Sequence, residues 1–156
     1  MIEKLERLVY EVGALHSKLV LLIGAPQAGK TLLLHALGKR SGLSPLDVGA
    51  ELGRRLAAIP QRQRHLLTTT ILLELADQHA PGDLLLLYNI ELLFDRSLQL
   101  NPLDLLKRHA HARRVVAVWP GELQGNMRMG RLTYAEMGHP EHQDYSLTGV
   151  VPFQIQ

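Results

Sequence analysis

The sequence predicts an α/β fold, a parallel sheet with helices packed on both faces. Three observations carry this reading. Short, unbroken apolar runs recur at 19–23, 84–88 and 115–119, as strands buried on both faces require. Longer segments with apolar residues at helical spacing separate them. Glycine, proline and asparagine punctuate the junctions.

Ile2, Leu5, Leu8, Val9, Val12 and Leu15 recur at helical spacing among Glu3, Lys4, Glu6, Arg7 and Glu11, which predicts an amphipathic helix ahead of the first strand. The strand is Leu19-Val20-Leu21-Leu22-Ile23. A turn of small residues follows, Gly24-Ala25-Pro26-Gln27-Ala28-Gly29, and then Lys30, Thr31 and Leu32. Good helix formers continue to Lys39. Gly24, Gly29, Lys30 and Thr31 fit G-x-x-x-x-G-K-[ST], the phosphate loop. At average composition a chain of this length matches by accident roughly once in a hundred times. The strand before the motif and the helix after it provide the required context, and the reading is a P-loop nucleotide-binding core.

Each residue type in the loop has a physical task. Gly24 and Gly29 permit dihedrals and close approaches that a Cβ blocks. The loop amides and the new helix N-terminus point at phosphates. Pro26 shapes the loop but has no N–H to donate. Lys30 is expected to reach the β- and γ-phosphates of ATP, and the Thr31 hydroxyl to ligate Mg²⁺.

Ser44-Pro45-Leu46-Asp47 is ambiguous: a capped helix start, or a short strand at Leu46 to Val48 before a helix over 51–58. The strand is favoured. A helix over 62–79 is expected to turn Leu66, Leu67, Ile71, Leu75 and Ala76 inward, and Pro81-Gly82 to end it. Asn101, Pro102 and Asp104 open another helix as cap, first residue and first-turn acid. Beyond Glu122 the pattern decays. Strands are expected at 131–134 and 150–155, the latter at an edge because Pro152 interrupts it. No repeat or low-complexity linker divides the chain, so residues 1–156 read as one domain.

A phosphate-loop ATPase usually carries an aspartate at a later strand tip to hold Mg²⁺ through water. Here LLLLYNIELLFD puts Tyr88 at that tip, with Asn89 and Glu91 directly after it. Asp83 precedes the strand and lies at the opposite end of the sheet. Three readings stay open. Glu91 takes over the acidic role, with Asn89 orienting water; or Mg²⁺ relies on Thr31 and the phosphates, and hydrolysis is slow; or Glu91 only favours a helix N-terminus. The strand ending Val118-Trp119 offers no γ-phosphate sensor except the indole N–H, and Trp119 reads first as a packing residue.

The remaining composition sets bounds. The net charge of +2 is too small to predict nucleic-acid binding. Arg54, Arg55, Arg62 and Arg64, and likewise Lys107, Arg108, Arg113 and Arg114, form local basic clusters, so DNA contact stays open without support. With no cysteine, neither disulfides nor thiolate metal sites hold the chain. No apolar stretch approaches ~20 residues, and no signal-peptide core follows the first methionine; a cytoplasmic protein without membrane contact is expected. His139, Glu141 and His142 lie close enough in sequence to suggest zinc, although Pro140 and the loop spacing weigh against convergence.

The phosphate loop, LLLLYNIELLFD, VVAVWPGEL and LTYAEMGHPEHQDY, in that order, resemble the BrxF family of small P-loop proteins of type 3 BREX phage-defence systems. The resemblance spans nearly the whole chain, and its late segment is the specific part. It implies a reduced AAA-like core without a helical lid, binding ATP and Mg²⁺. The partners it implies are other BREX components, such as the large ATPase, or further copies of the chain. Departures fall at Tyr88, where the family-type motif has Asp, and at Val118, where Thr is usual. An arginine finger would then come from another subunit, with Arg54, Arg55 and Arg128 as candidates in a homo-oligomer. A P-loop small-molecule kinase is the rival reading, with GNMRMGRL as its lid.

Overall fold

The computed structural model describes residues 1–15, 18–125 and 130–155. It is an α/β structure built on a five-stranded parallel sheet. The strands are β1 (Leu19–Ile23), β2 (Leu46–Asp47), β3 (Leu84–Tyr88), β4 (Arg114–Val118) and, later in the chain, β8 (Val151–Gln154). Their order across the sheet is β2, β3, β4, β1, β8. Every pair is parallel, with Leu22 beside Val118 on one side of β1 and beside Phe153 on the other.

The unbroken apolar runs are explained by the two faces they serve. Val20, Leu22, Leu84, Leu86, Val116 and Val118 face a core shared with α1 (Ile2–Val12) and α2 (Lys30–Ser41). Leu19, Leu21, Leu85, Leu87, Val115 and Ala117 face the other, beneath α3 (Val48–Ala57), α4 (Arg64–His79) and α5 (Pro102–Ala112). A strand with only one buried face would have alternated with polar residues. Helix ends follow local chemistry. Asp47 closes β2 and caps α3, its side chain accepting from the Ala50 N–H at 3.0 Å. That settles the ambiguous segment as strand then helix. Asn101 caps α5 through the Asp104 N–H at 3.1 Å.

Three expected core positions are corrected. In α4, Leu66 and Leu67 are exposed, at 69% and 39%, and the buried stripe is Thr68, Ile71, Leu72, Leu75 and Ala76. Thr68 takes an inward place because its hydroxyl donates to the Arg64 carbonyl at 2.7 Å, leaving a methyl group for the core. Leu15 lies beyond the end of α1 and is half exposed.

A second sheet interrupts the parallel pattern before β8. Here β5 (Leu123–Gln124), β6 (Arg131–Tyr134) and β7 (Gln143–Ser146) pair antiparallel in that order. Its junction with the main sheet is aromatic. Phe94 stacks on Tyr134 with centroids 4.0 Å apart, and meets Trp119 and Tyr145 edge-on at 5.3 and 5.9 Å. Trp119 is fully buried and donates its indole N–H to the Thr133 carbonyl at 2.9 Å. Among the described residues no helix is long and apolar enough to cross a membrane.

Candidate phosphate site

The site forms at the carboxyl end of β1. Ile23 ends the strand, and the 24–29 turn delivers the chain into α2. Gly24 has no room for a side chain, because an added Cβ would lie 2.8 Å from the Ile155 carbonyl oxygen. Ile155 is itself tied to β1, its N–H donating to the Ile23 carbonyl at 2.7 Å. Within the turn, the Ala28 N–H donates to Ala25 O at 3.0 Å. Gly29 then takes φ +88°, a left-handed conformation that disfavours any side chain. No side chain caps α2, so its first-turn amides remain available to an anion.

Lys30 and Thr31 line a cavity of about 370 Å³ together with Gly24, Pro26, Glu91, Val118, Pro120, Gly121, Glu122, Ala135 and Glu136. Lys30 donates from Nζ to the Trp119 carbonyl at 3.0 Å. Burial holds its pKa below the ordinary lysine value, opposed by the carboxylates of Glu91 and Glu122. The loop, the turn after β3 and the turn after β4 therefore meet around one ammonium group. Ala25, Gln27, Ala28 and Leu32 complete the loop and the first helical turn, with Leu32 exposed at 78%.

The two strand-tip candidates separate. Glu91 opens a short 3-10 helix (Glu91–Phe94) and borders the cavity with Lys30 and Thr31. Asn89 takes φ +55°, and its side-chain amide donates to Asp47 Oδ1 at 2.8 Å. Its amide is thus directed to the tip of β2, and it borders a second, open groove with Gly49, Gly53, Arg96 and Tyr134. Glu91 lines both spaces. Tyr88 packs edge-on against His35 at 5.0 Å, and burial together with Asp47 raises its pKa.

The remaining candidates have other commitments. Trp119 is a packing residue. Arg54 pairs with Glu51 at 2.9 Å and Arg55 with Glu74 at 2.6 Å, while Arg128 and the rest of 126–129 within GNMRMGRL lie outside the described residues. Arg113 and Arg114 of the second basic cluster bind Asp77 and Asp83. His139 Nδ1 accepts from the Glu141 N–H, Glu141 pairs with Arg96, and His142 lies 3.3 Å from Asp144. These three side chains do not converge, and among the described residues no group of three His, Asp or Glu forms a metal site. Glu122 is the residue that sequence reasoning passed over. Its signal was the Pro120-Gly121 turn, which returns the chain to the strand tip. No family model and no curated protein matches the chain.

Proposed function

We propose that this chain is an AAA-like P-loop protein that binds ATP with Mg²⁺ and hydrolyses it slowly. We further propose that it serves as an accessory of a BREX-type phage-defence system, its association with other components or further copies governed by the nucleotide. The observation that carries the nucleotide reading is the meeting of Lys30 and Thr31 with Glu91 in one cavity at the head of α2. The strand order supports the AAA-like reading, since β4 lies between the loop strand and β3.

The donor set suits a hard cation bound beside phosphate: one hydroxyl, three carboxylates along the cavity wall and, among the described residues, no self-sufficient cluster of ligands. Thr31 would hold Mg²⁺ directly and Glu91 would hold its waters; the ion would screen the phosphate charge. Lys30 would exchange the Trp119 carbonyl for phosphate oxygens. The amides of Lys30, Thr31 and Leu32 would bind the same anion. Among the described residues, the charged groups lining the cavity apart from Lys30 are the acids Glu91, Glu122 and Glu136. They give the cavity little positive charge to stabilise a phosphoryl transition state, which supports slow hydrolysis by the isolated chain.

Lys30→Ala removes a charge-assisted contact worth ~1.5–3 kcal/mol, so ATP affinity should fall about tenfold to a hundredfold. Calorimetry giving equal affinities for the two proteins would refute nucleotide binding at this loop. A gene neighbourhood with methyltransferase and PglZ genes would support the defence role. The open groove that shares Glu91 favours the kinase rival, since an acceptor there would adjoin the phosphates. Labelled ATP offered with nucleoside and sugar pools separates the two.

A further inference from the structure

The turn after β4 carries one of the cavity's acids and is tied to a neighbouring strand. Five hydrogen bonds to Thr133 of β6 hold it, one of them from the Glu122 N–H to the Thr133 hydroxyl oxygen at 3.1 Å. The Thr133 carbonyl accepts the Trp119 indole N–H at 2.9 Å and the Glu122 N–H at 3.2 Å. The Glu122 carbonyl accepts the Thr133 N–H at 2.8 Å and the Thr133 hydroxyl at 3.3 Å. Gly121 lies so close to Thr133 that no Cβ fits between them. At one end of this turn the Trp119 carbonyl holds Lys30; at the other Glu122 lines the same cavity as Lys30. By contrast Glu91 is shared with the neighbouring groove, and the Asn89 amide is directed to Asp47.

We propose that Glu122 is the general base of ATP hydrolysis, an assignment that rests on the nucleotide reading above. Its backbone is fixed beside the cavity that it lines, so only the torsions of an exposed side chain remain to be ordered when substrate binds. A water oxygen attacks the γ-phosphorus, and the bond from that phosphorus to the β–γ bridging oxygen breaks. ADP departs with the electron pair. The water's proton passes to the Glu122 carboxylate and from there to solvent, and inorganic phosphate is released. Lys30, placed between this carboxylate and the loop, compensates the charge.

The test is single-turnover hydrolysis of γ-labelled ATP with Mg²⁺ by the full chain, with calorimetry and thermal melts alongside. Glu122→Gln should keep nucleotide affinity within about threefold and keep the melting midpoint. Its rate should fall by about a hundredfold or to the uncatalysed rate, in the range a general base supplies. Glu122→Asp keeps the charge with a shorter reach, and an intermediate rate is expected. A Glu122→Gln rate within about threefold of wild type overturns the assignment. So does a wild type that binds ATP and hydrolyses it no faster than buffer. A wild type that binds no ATP overturns the nucleotide reading itself.

Discussion

Gly121→Ala places a methyl group where the backbone of another strand already lies. The added Cβ would overlap the Thr133 carbonyl oxygen, and would stand 2.6 Å from its carbon and 3.0 Å from Trp119 Nε1. None of these is the free end of a flexible side chain, so the turn or β6 must shift. Forcing that methylene-sized volume into a packed junction costs ~1–3 kcal/mol. The shift also draws the Thr133 carbonyl away from the indole, leaving a buried donor unpaired for another ~1–3 kcal/mol. The total, about 2–6 kcal/mol, is a large part of an ordinary domain's stability. The assay is urea denaturation followed through the single tryptophan, which sits at the site of the change. Gly82→Ala is the control, because nothing lies within 4 Å of its added Cβ and its φ is outside the left-handed region. That variant should be neutral or gain up to ~1 kcal/mol. Equal unfolding midpoints for the two variants would refute the packing argument.

Two further expectations follow from burial. Burial, and then the charge of Arg113, lowers the pKa of His109 below its ordinary 6.5, with Asp77 opposing. The unfolded chain then binds the extra proton first, so this contribution to stability is full above about pH 6.5 and is lost as pH falls through the folded value. His109→Leu should flatten the decline of the urea midpoint below pH 6.5, and an unchanged slope would exclude His109 as its source. On α4, Leu72→Ala should cost ~2–5 kcal/mol, whereas exposed Leu66→Ala should change stability by under ~0.5 kcal/mol. Comparable losses measured by denaturation would mean that Leu66 is buried against something.

The sequence made the parallel sheet readable because its strands are buried on both faces, and continuous leucine and valine runs have few other uses. The strand–turn–helix around 24–29 was readable because Gly24 and Gly29 punctuate the passage from an apolar run to a segment of good helix formers. The cap at Asn101 was visible for the same reason, since side-chain chemistry at a helix start is local. Leu66 and Leu67 misled because a leucine counts as inward in any periodic reading, whereas Thr68 earns its buried place through a hydrogen bond that hydropathy does not register. The strand β5 is only two residues long, and β7 is mostly polar and exposed, so neither shows an apolar alternation. Glu122 and the Asn89–Asp47 contact depend on which strand tips become neighbours, and spacing along the chain is silent about that.

The brace that Ile155 gives Gly24 has a consequence for biosynthesis. The loop residues leave the ribosome early, yet the backbone that packs against Gly24 and receives Ile23 belongs to the segment just beyond β8. A nascent chain carrying the loop, α2 and β3 but ending before Val151 would lack one of the two strands that flank β1. Closing contacts between such distant segments is the slow part of folding a parallel sheet. ATP capture by stalled chains of increasing length should therefore rise in a late step, once residues 151–155 have cleared the exit tunnel, and not when Lys30 first emerges.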